Sequence, residues 1–396
     1  MGALDGVRVV DVSRVLAGPL CTQILADHGA DVIKVEPPAG DETRTFGPPF
    51  DDNGDAAYFS ALNRGKRAVS LDLAKPEGRA VLERLLADAD VLVENFLPGT
   101  MKRWGLDYDA LAPRFPRLVY ASITGFGSDG PLGGLPGYDA VLQAMCGLMS
   151  VNGDDDSGTM RVGVPVVDHL TGYVALTGIL MALFARERTG AGQRIEATLF
   201  DTGLSLLVPH AANWFRSGRA PRLLGSAHPN ICPYDKFHAR DGEIFLAVAN
   251  DGQFRKLCEH LGRPDLATDA RFADNGRRVE HRASLREELE RLLAQHDARA
   301  LCRDLMRAGI PAGPVNDVPH AFEQEHAVHR GSVVSDGDYR GIASPLKLSL
   351  SRGERARKPP RFAEHAEDLL REAGYSHEQI AQLRDTGVVT EGRSKR

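Results

Sequence analysis

The side chain with the most chemical promise is Asp168, in the run Gly163-Val164-Pro165-Val166-Val167-Asp168-His169-Leu170-Thr171-Gly172. It stands where a turn meets a long apolar stretch that reads as a helix. Aspartate before a helix is a common N-cap. The same placement suits a nucleophile. A helix N-terminus favours the anion, and an unperturbed aspartate, with a pKa of about 3.9, is ionised at neutral pH. Such a carboxylate can attack an activated acyl group without a general base. Both roles are open to one residue. Ser13 and Ser122 are weaker nucleophile candidates, because neither lies in a Gly-x-Ser-x-Gly turn. The thirteen histidines show no metal spacing: His326 and His329 are close together but lack a third ligand, and read as surface residues. Asp154-Asp155-Asp156-Ser157-Gly158 opens like a calcium loop, yet Pro165 stands where the closing glutamate belongs, which leaves a solvated acidic loop. No metal is expected.

A second candidate is the turn Arg14-Val15-Leu16-Ala17-Gly18-Pro19, between the first expected strand and the first expected helix. A dinucleotide fingerprint would place three glycines here, so a nicotinamide or flavin oxidoreductase is disfavoured. Either the turn is merely tight, or its N–H groups at the helix start approach a ligand closely.

These residues need a scaffold. Apolar, β-branched runs predict strands at 7–12, 31–35, 68–73, 91–93, 118–123, 193–199 and 243–249. Helices are expected at 19–27 (stopped by Gly29), 76–89 (with Pro76 and Glu77 in its first turn), 139–149, 168–186, 279–294, 297–308 and 376–386, the last capped by Ser376. Strand and helix alternate through the first third, so the fold class is α/β with a parallel sheet. The apolar stretch 170–185 is short of a membrane span and carries Thr171, Gly172, Thr177 and Gly178, so it reads as a buried core helix.

A chain of 396 residues exceeds what one hydrophobic core usually organises, so two domains are expected. A large domain covers 1–205, a Pro-, Arg-, Asn- and Gly-rich linker 206–224, a small domain 225–318, a second linker 319–345, and a C-terminal part 346–396. Residues 390–396 read as frayed. The net charge of −6, with both signs interspersed, points away from nucleic acid, while local basic groups could still hold a small anion. Five scattered cysteines without a Cys-x-x-Cys pair read as reduced thiols, and the first five residues carry no basic start or apolar signal core, so a cytoplasmic location is expected.

Several segments, in order, together resemble one family. They are Leu4-Asp5-Gly6-Val7-Arg8-Val9-Val10-Asp11, Ala17-Gly18-Pro19, Gly29-Ala30-Asp31-Val32-Ile33-Lys34-Val35-Glu36, Val93-Glu94-Asn95-Phe96, Pro98-Gly99, Gly137-Tyr138-Asp139, Asp168 and Gly309-Ile310-Pro311-Ala312-Gly313-Pro314-Val315. The set resembles the class III coenzyme A transferases, the formyl-CoA and carnitine-CoA transferase (CaiB/BaiF) family, over nearly the whole chain. The resemblance implies a Rossmann-like large domain built from both chain ends, a smaller inserted α+β domain, and two subunits interlocked as rings in a homodimer. It implies an acyl-CoA:carboxylate CoA-transferase whose aspartate, here Asp168, forms an aspartyl anhydride and then an aspartyl-CoA thioester. Coenzyme A and a small carboxylic acid would be substrates, with no permanently bound cofactor and no nucleic-acid or membrane partner. The resemblance extends to dicarboxylyl-CoA donors such as succinyl-CoA, which many members of that family use.

By position, Val15, Leu16, Ala17, Leu71, Asn95, Phe96, Arg103, Gly137, Tyr138 and Asp139 match residues lining the family's coenzyme A site. Arg103 is the best phosphate partner among them. Arg44, just after the second strand, is either a surface arginine or a further nucleotide contact. There are departures. Leu16 stands where formyl-CoA transferase has a catalytic glutamine, and Pro37, Ala74 and Pro136 replace basic contacts of that enzyme, which argues against formyl/oxalate specificity. Its glycine-rich loop is replaced by Gly225-Ser226-Ala227-His228-Pro229-Asn230. There His228 or Asn230 either meets the acyl group or acceptor carboxylate, or only shapes a turn. Two alternatives remain. An α-methylacyl-CoA racemase of the same superfamily would need an acid and a base about the α-carbon, and that branch has a histidine where Tyr138 stands. A non-catalytic CoA-binding protein would not need Asp168.

Overall fold

The computed structural model describes residues 2–351, 353 and 357–392. Of the tail expected to fray, 393–396 lie outside the described residues. Two compact units form, one from Met1–Gly147, Val162–Leu206 and His326–Arg396, the other from Leu148–Arg161 and Leu207–Glu325.

In the first unit, apolar runs form β1 (Arg8–Asp11), β2 (Asp31–Glu36), β3 (Arg67–Ser70), β4 (Val91–Glu94), β5 (Val119–Thr124) and β6 (Arg194–Thr198). All six are parallel, in the order β3-β2-β1-β4-β5-β6. Their near-continuous hydrophobicity follows from burial on both faces. The helices that position the candidate residues are α1 (Ala17–Asp27), α2 (Ala57–Leu62), α3 (Pro76–Leu86), α4 (Asp139–Met145) and α5 (Val166–Thr189). The helix expected over 139–149 ends early, and a short 3-10 turn follows at Leu148–Val151. Helix α5 starts two residues before the expected point. Pro165 occupies its cap position and offers no side-chain hydrogen bond, so Asp168 is the helix's third residue and not its cap.

Helix α5 lies against α1 because Gly172 lets it. A Cβ there would stand 2.8 Å from the Ala17 carbonyl oxygen and 3.3 Å from the Leu20 side chain. Only one face of α5 packs inside the chain, through Val167, Thr171, Gly172, Ala175, Leu176, Ile179 and Ala182. Val174, Leu180, Met181 and Phe184 on its other side are exposed. The expectation of a wholly buried helix is corrected to that extent. By length and composition α5 could cross a membrane, yet its inner face is built for α1 and the sheet.

The C-terminal stretch completes this unit. Leu369, Leu370, Ile380, Leu383, Val388 and Val389 share a core with Val69, Leu71, Val81 and Leu82. The Asp72 N–H bonds the Val388 carbonyl at 2.9 Å. Ser376 caps the helix His377–Asp385 in a reciprocal box with Gln379.

The second unit holds an antiparallel sheet, β9-β8-β7, made of β7 (Tyr234–Ala239), β8 (Gly242–Ala247) and β9 (Ala312–Pro314). Helices Asp251–His260, Arg282–Leu293 and Ala298–Arg307 pack around Phe237, Ile244, Leu246, Phe254, Leu285, Leu289 and Leu305. The helix expected at 279–294 is two, Asn275–Glu280 and Arg282–Leu293, divided at His281. Both stretches expected as linkers carry regular structure. Helix His210–Ser217 lies in 206–224, and helix Glu325–His329 and the hairpin of Val333–Asp336 with Tyr339–Ile342 lie in 319–345.

Candidate active site

Strands β1 and β4 are neighbours in space, and strand order runs outward from them in opposite directions. Such a reversal opens a crevice beyond the carboxyl ends of the strands, where α/β proteins bind ligands. The first turn and Asn95 lie just past those two ends. The Asn95 Oδ1 accepts the Arg14 N–H at 2.8 Å, and its Nδ2 donates to the Arg14 carbonyl at 2.7 Å. Asn95, expected to touch coenzyme A, spends its amide on holding the first turn. Within that turn Val15 has φ 69°. A β-branched residue in the left-handed region is strained, by about 1–3 kcal/mol, and such strain concentrates at ligand sites.

Buried charges hold the turn from beneath. The Lys34 ammonium donates to the Ser13 carbonyl at 2.5 Å and to Asp41 at 2.8 Å. The Lys66 ammonium donates to Asp11 at 3.0 Å, to the Pro19 carbonyl at 2.9 Å and to Asn63 at 2.8 Å. Asp11 also accepts from the hydroxyls of Ser13 and Thr22. Burial alone would push Asp11 up, but Lys66, Lys34 and the two hydroxyls hold it below the usual carboxylate range. Burial wins at Lys66, whose ammonium is brought down to about 8 despite Asp11. The carbonyls on both sides of the strained turn are thus fixed by buried cations.

Gly172, which touches Ala17, is one helical turn beyond Asp168. Residues four apart share a helix face, so Asp168 lies on the face of α5 turned to the start of α1. Its carboxyl is pushed up to about 7, first by burial and then by the charge of Asp139. This corrects the expectation of a carboxylate held fully ionised by a helix N-terminus. The physical reason lies in the first-turn donors. The N–H groups of Val167 and Asp168 itself bond Asp139 Oδ1 at 2.8 and 3.1 Å. The N–H of Val166 bonds the Val164 carbonyl, and that of His169 the Pro165 carbonyl. Asp139, expected as a coenzyme A contact, is buried and takes the place of a cap.

Tyr58, on α2, was not singled out by the sequence. Its hydroxyl is pushed up to about 12 by burial and then by Asp168, Asp139 and Asp41, which places the phenol in the same electrostatic neighbourhood. It packs edge-on to Phe46, with ring centroids 5.7 Å apart. No motif surrounds Tyr58 that could have marked it. Arg14 was also passed over. Its guanidinium sits 5.4 Å from the Phe96 ring centroid, and its buried Nε has no hydrogen-bond partner.

The remaining expected contacts divide. Leu16 and Ala17 are buried at the start of α1, and Leu71 is part of the core. Phe96 packs on Trp104, with centroids 5.2 Å apart. Arg103 is exposed and donates to Thr100 Oγ1 at 2.9 Å. Gly137 lies against Gly125, and Tyr138 is exposed at the start of α4. Arg44 is not available as a nucleotide contact. Its guanidinium makes two bonds to Glu36 and one to Asp55, each 2.7–2.8 Å, and stacks 3.6 Å over the Phe59 ring.

Gly225, His228 and Asn230 belong to the second unit, where their loop is tied down. The Gly225 N–H bonds the Gly153 carbonyl. Arg282 donates to the His228 carbonyl at 2.7 Å, and Asn275 to that of Asn230 at 2.9 Å. Burial, Arg282 and His210 push the His228 imidazolium down, so the ring is neutral at physiological pH. Its Nδ1 lies 3.1 Å from the Asn230 N–H, which sets Nδ1 as the acceptor and puts the proton on Nε2. Among the described residues, no group of three or more His, Cys, Asp or Glu side chains could hold a metal ion.

The family model described as CoA-transferase family III matches residues 4–366. A succinate–glutarate CoA-transferase from Agrobacterium fabrum is 42% identical over 93% of this chain and 95% of its own length. An acetyl-CoA:oxalate CoA-transferase from Acetobacter aceti is 41% identical over 88% of this chain and 90% of its own. A crystal structure of a CaiB/BaiF family protein from Brucella suis superposes with a TM-score of 0.85 at 43% identity, covering 94% of this chain and 99% of that one.

Proposed function

The chain belongs to CoA-transferase family III, and from that premise we propose that Asp168 carries the acyl group as the enzyme moves coenzyme A from a dicarboxylyl-CoA to a free dicarboxylic acid. The carrying observation is the setting of Asp168: a partly buried carboxyl, facing the start of α1 at a strand-order reversal, with its proton held well above the ordinary carboxylate range. The relative named for succinate and glutarate supports a dicarboxylate on both sides of the transfer, and the one named for acetyl-CoA and oxalate supports a dicarboxylate as acceptor.

The ionised Asp168 oxygen attacks the donor thioester carbon. A C–O bond forms, the C–S bond breaks, and coenzyme A leaves as its thiolate. The thiolate then attacks the Asp168 carbonyl carbon of the mixed anhydride, making an aspartyl thioester and releasing the donor acid as a carboxylate. The acceptor carboxylate attacks that thioester, regenerating an anhydride and the thiolate. Attack of the thiolate on the acceptor's acyl carbon yields the new acyl-CoA and restores Asp168. Every intermediate keeps an activated acyl group, so no external energy source is needed. The tetrahedral oxyanions need preorganised donors, and the first N–H groups of α1, which have no partner within a helix, suit that task.

Arg103 and Arg14 are the cations proposed for the coenzyme A phosphates. The loop of Gly225, His228 and Asn230 is proposed to meet the acyl group or acceptor carboxylate, with His228 Nε2 as the donor. Coenzyme A acts as substrate, and no resident cofactor, nucleic acid or membrane enters the scheme. The exposed apolar side of α5, with Met181 67% and Phe184 68% exposed, supports a homodimer, interlocked as the resemblance implies. Five free, buried cysteines fit a reducing, cytoplasmic setting. The racemase alternative would use the phenol of Tyr138 as its base, a poor one near neutral pH. The test is transfer from succinyl-CoA to glutarate and to oxalate, with mass detection of a coenzyme A adduct on the peptide containing Asp168. Asp168→Ala should abolish transfer and adduct; transfer that survives it refutes the assignment.

A further inference from the structure

We propose that Asp139 is a positioning residue for this transfer, clamping the first turn of α5 through the backbone of the nucleophile itself and standing as a fixed negative charge beside it. The proposal rests on Asp168 being the acyl carrier. Asp139 is 6% exposed and Gln143 wholly buried. Asp139 Oδ1 receives the N–H groups of Val167 and Asp168, and its Oδ2 receives Gln143 Nε2 at 2.6 Å. Gln143 Oε1 in turn receives the Val162 N–H at 2.8 Å. One residue pair on α4 therefore holds both the start of α5 and the segment leading into it. Because α5 has no cap of its own, this external carboxylate does the capping.

The arrangement has an electrostatic result. A helix start normally stabilises an acid placed there. Here the nearest donors are given to Asp139, and Asp168 is left beside a second carboxylate. Among the titratable groups facing Asp168, Asp139 comes from α4 and Tyr58 from α2. Like charges at short range raise the proton affinity of one partner. A more basic carboxylate is the better nucleophile once ionised, so Asp139 strengthens the attacking oxygen and narrows its working range to near-neutral and higher pH.

Asp139→Asn tests this on the full-length protein. The amide oxygen can still accept the two backbone N–H groups, while the charge is gone. The measurement is the pH profile of kcat/KM for succinyl-CoA with glutarate. Transfer should rise with pH through about 7 in the unaltered enzyme, and the acid limb should move to lower pH in the variant. For a fall of about one pH unit, the ratio of kcat/KM at pH 6 to that at pH 8 goes from roughly one-tenth to roughly one-half. The amide nitrogen would face Gln143 Nε2, so the double variant Asp139→Asn with Gln143→Glu restores a donor–acceptor pair there. It is read the same way should the single variant not fold, with a smaller fall expected because the charge returns farther from Asp168. An active, folded variant with an unmoved acid limb overturns the role of Asp139. A merely structural residue would lower stability and leave the limb in place. Asp168→Ala, assayed alongside, separates this outcome from failure of the underlying assignment, because transfer without Asp168 removes the carrier itself.

Discussion

The Asp168 carboxyl makes a stability prediction with an unusual sign. Replacing a polar, partly buried side chain normally destabilises a protein, yet Asp168→Asn should stabilise this one, and more so at higher pH. Well below pH 3.8 the carboxyl is protonated in both the folded and the unfolded chain, so it contributes no difference. As pH rises past the ordinary value of 3.8, the unfolded chain ionises while the folded protein lags, because burial and Asp139 hold its carboxyl up at about 7. Stability is lost through that window, and the loss is complete above it. A gap of about three pKa units at about 1.4 kcal/mol each gives a ceiling of roughly 4 kcal/mol. Asparagine is neutral throughout and avoids the loss. Roughly half of that ceiling is reached by about pH 5.5, so between about pH 5.5 and pH 8 the variant's advantage should grow by roughly 2 kcal/mol. Calorimetric unfolding of both proteins across that range is the assay, with transfer activity lost in the variant at every pH. A stability difference that stays constant or shrinks toward pH 8 would refute the reasoning, because it would mean that Asp168 ionises normally in the folded state. The predicted trade is the usual one at a reacting group, where function is kept at the expense of stability.

Two further outcomes follow from packing. Gly172→Val places branched carbon where a single Cβ would already lie 2.8 Å from the Ala17 oxygen; α5 and α1 should separate, with a loss of about 1–3 kcal/mol in thermal unfolding and a fall in kcat larger than the rise in KM. The exposed apolar side of α5 predicts a dimer that persists on dilution, and light scattering that finds a freely exchanging monomer would contradict it.

The scaffold was legible because its signals are local. Six buried parallel strands must read as apolar runs, and residues 31–35 or 118–123 can hardly be anything else. Pro76 and Ser376 mark helix starts by their own backbone and side-chain preferences, whatever surrounds them. Strand β7 and helix Asp251–His260 escaped notice because their runs, with Asp235, Lys236, His238, Arg255 and Lys256 among them, alternate only weakly. Their core contacts come from elsewhere in the second unit. The polar partners of the candidate residues were not legible. Asn95, Arg44 and Asp139 were all expected to grip a ligand. Yet the Asn95 amide clasps Arg14, the Arg44 guanidinium is divided between Glu36 and Asp55, and the Asp139 carboxylate holds a helix that begins 27 residues further on. A polar group cannot donate or accept the same bond twice, and a buried one cannot be left unpaired without cost. Whether a polar residue at a strand-order reversal touches the ligand or builds the place that does is therefore decided by partners distant in sequence. The same accounting explains Asp168: a helix start promises stabilisation to any acid placed there, but the promise holds only while its N–H groups are unclaimed, and in this fold another acid has claimed them.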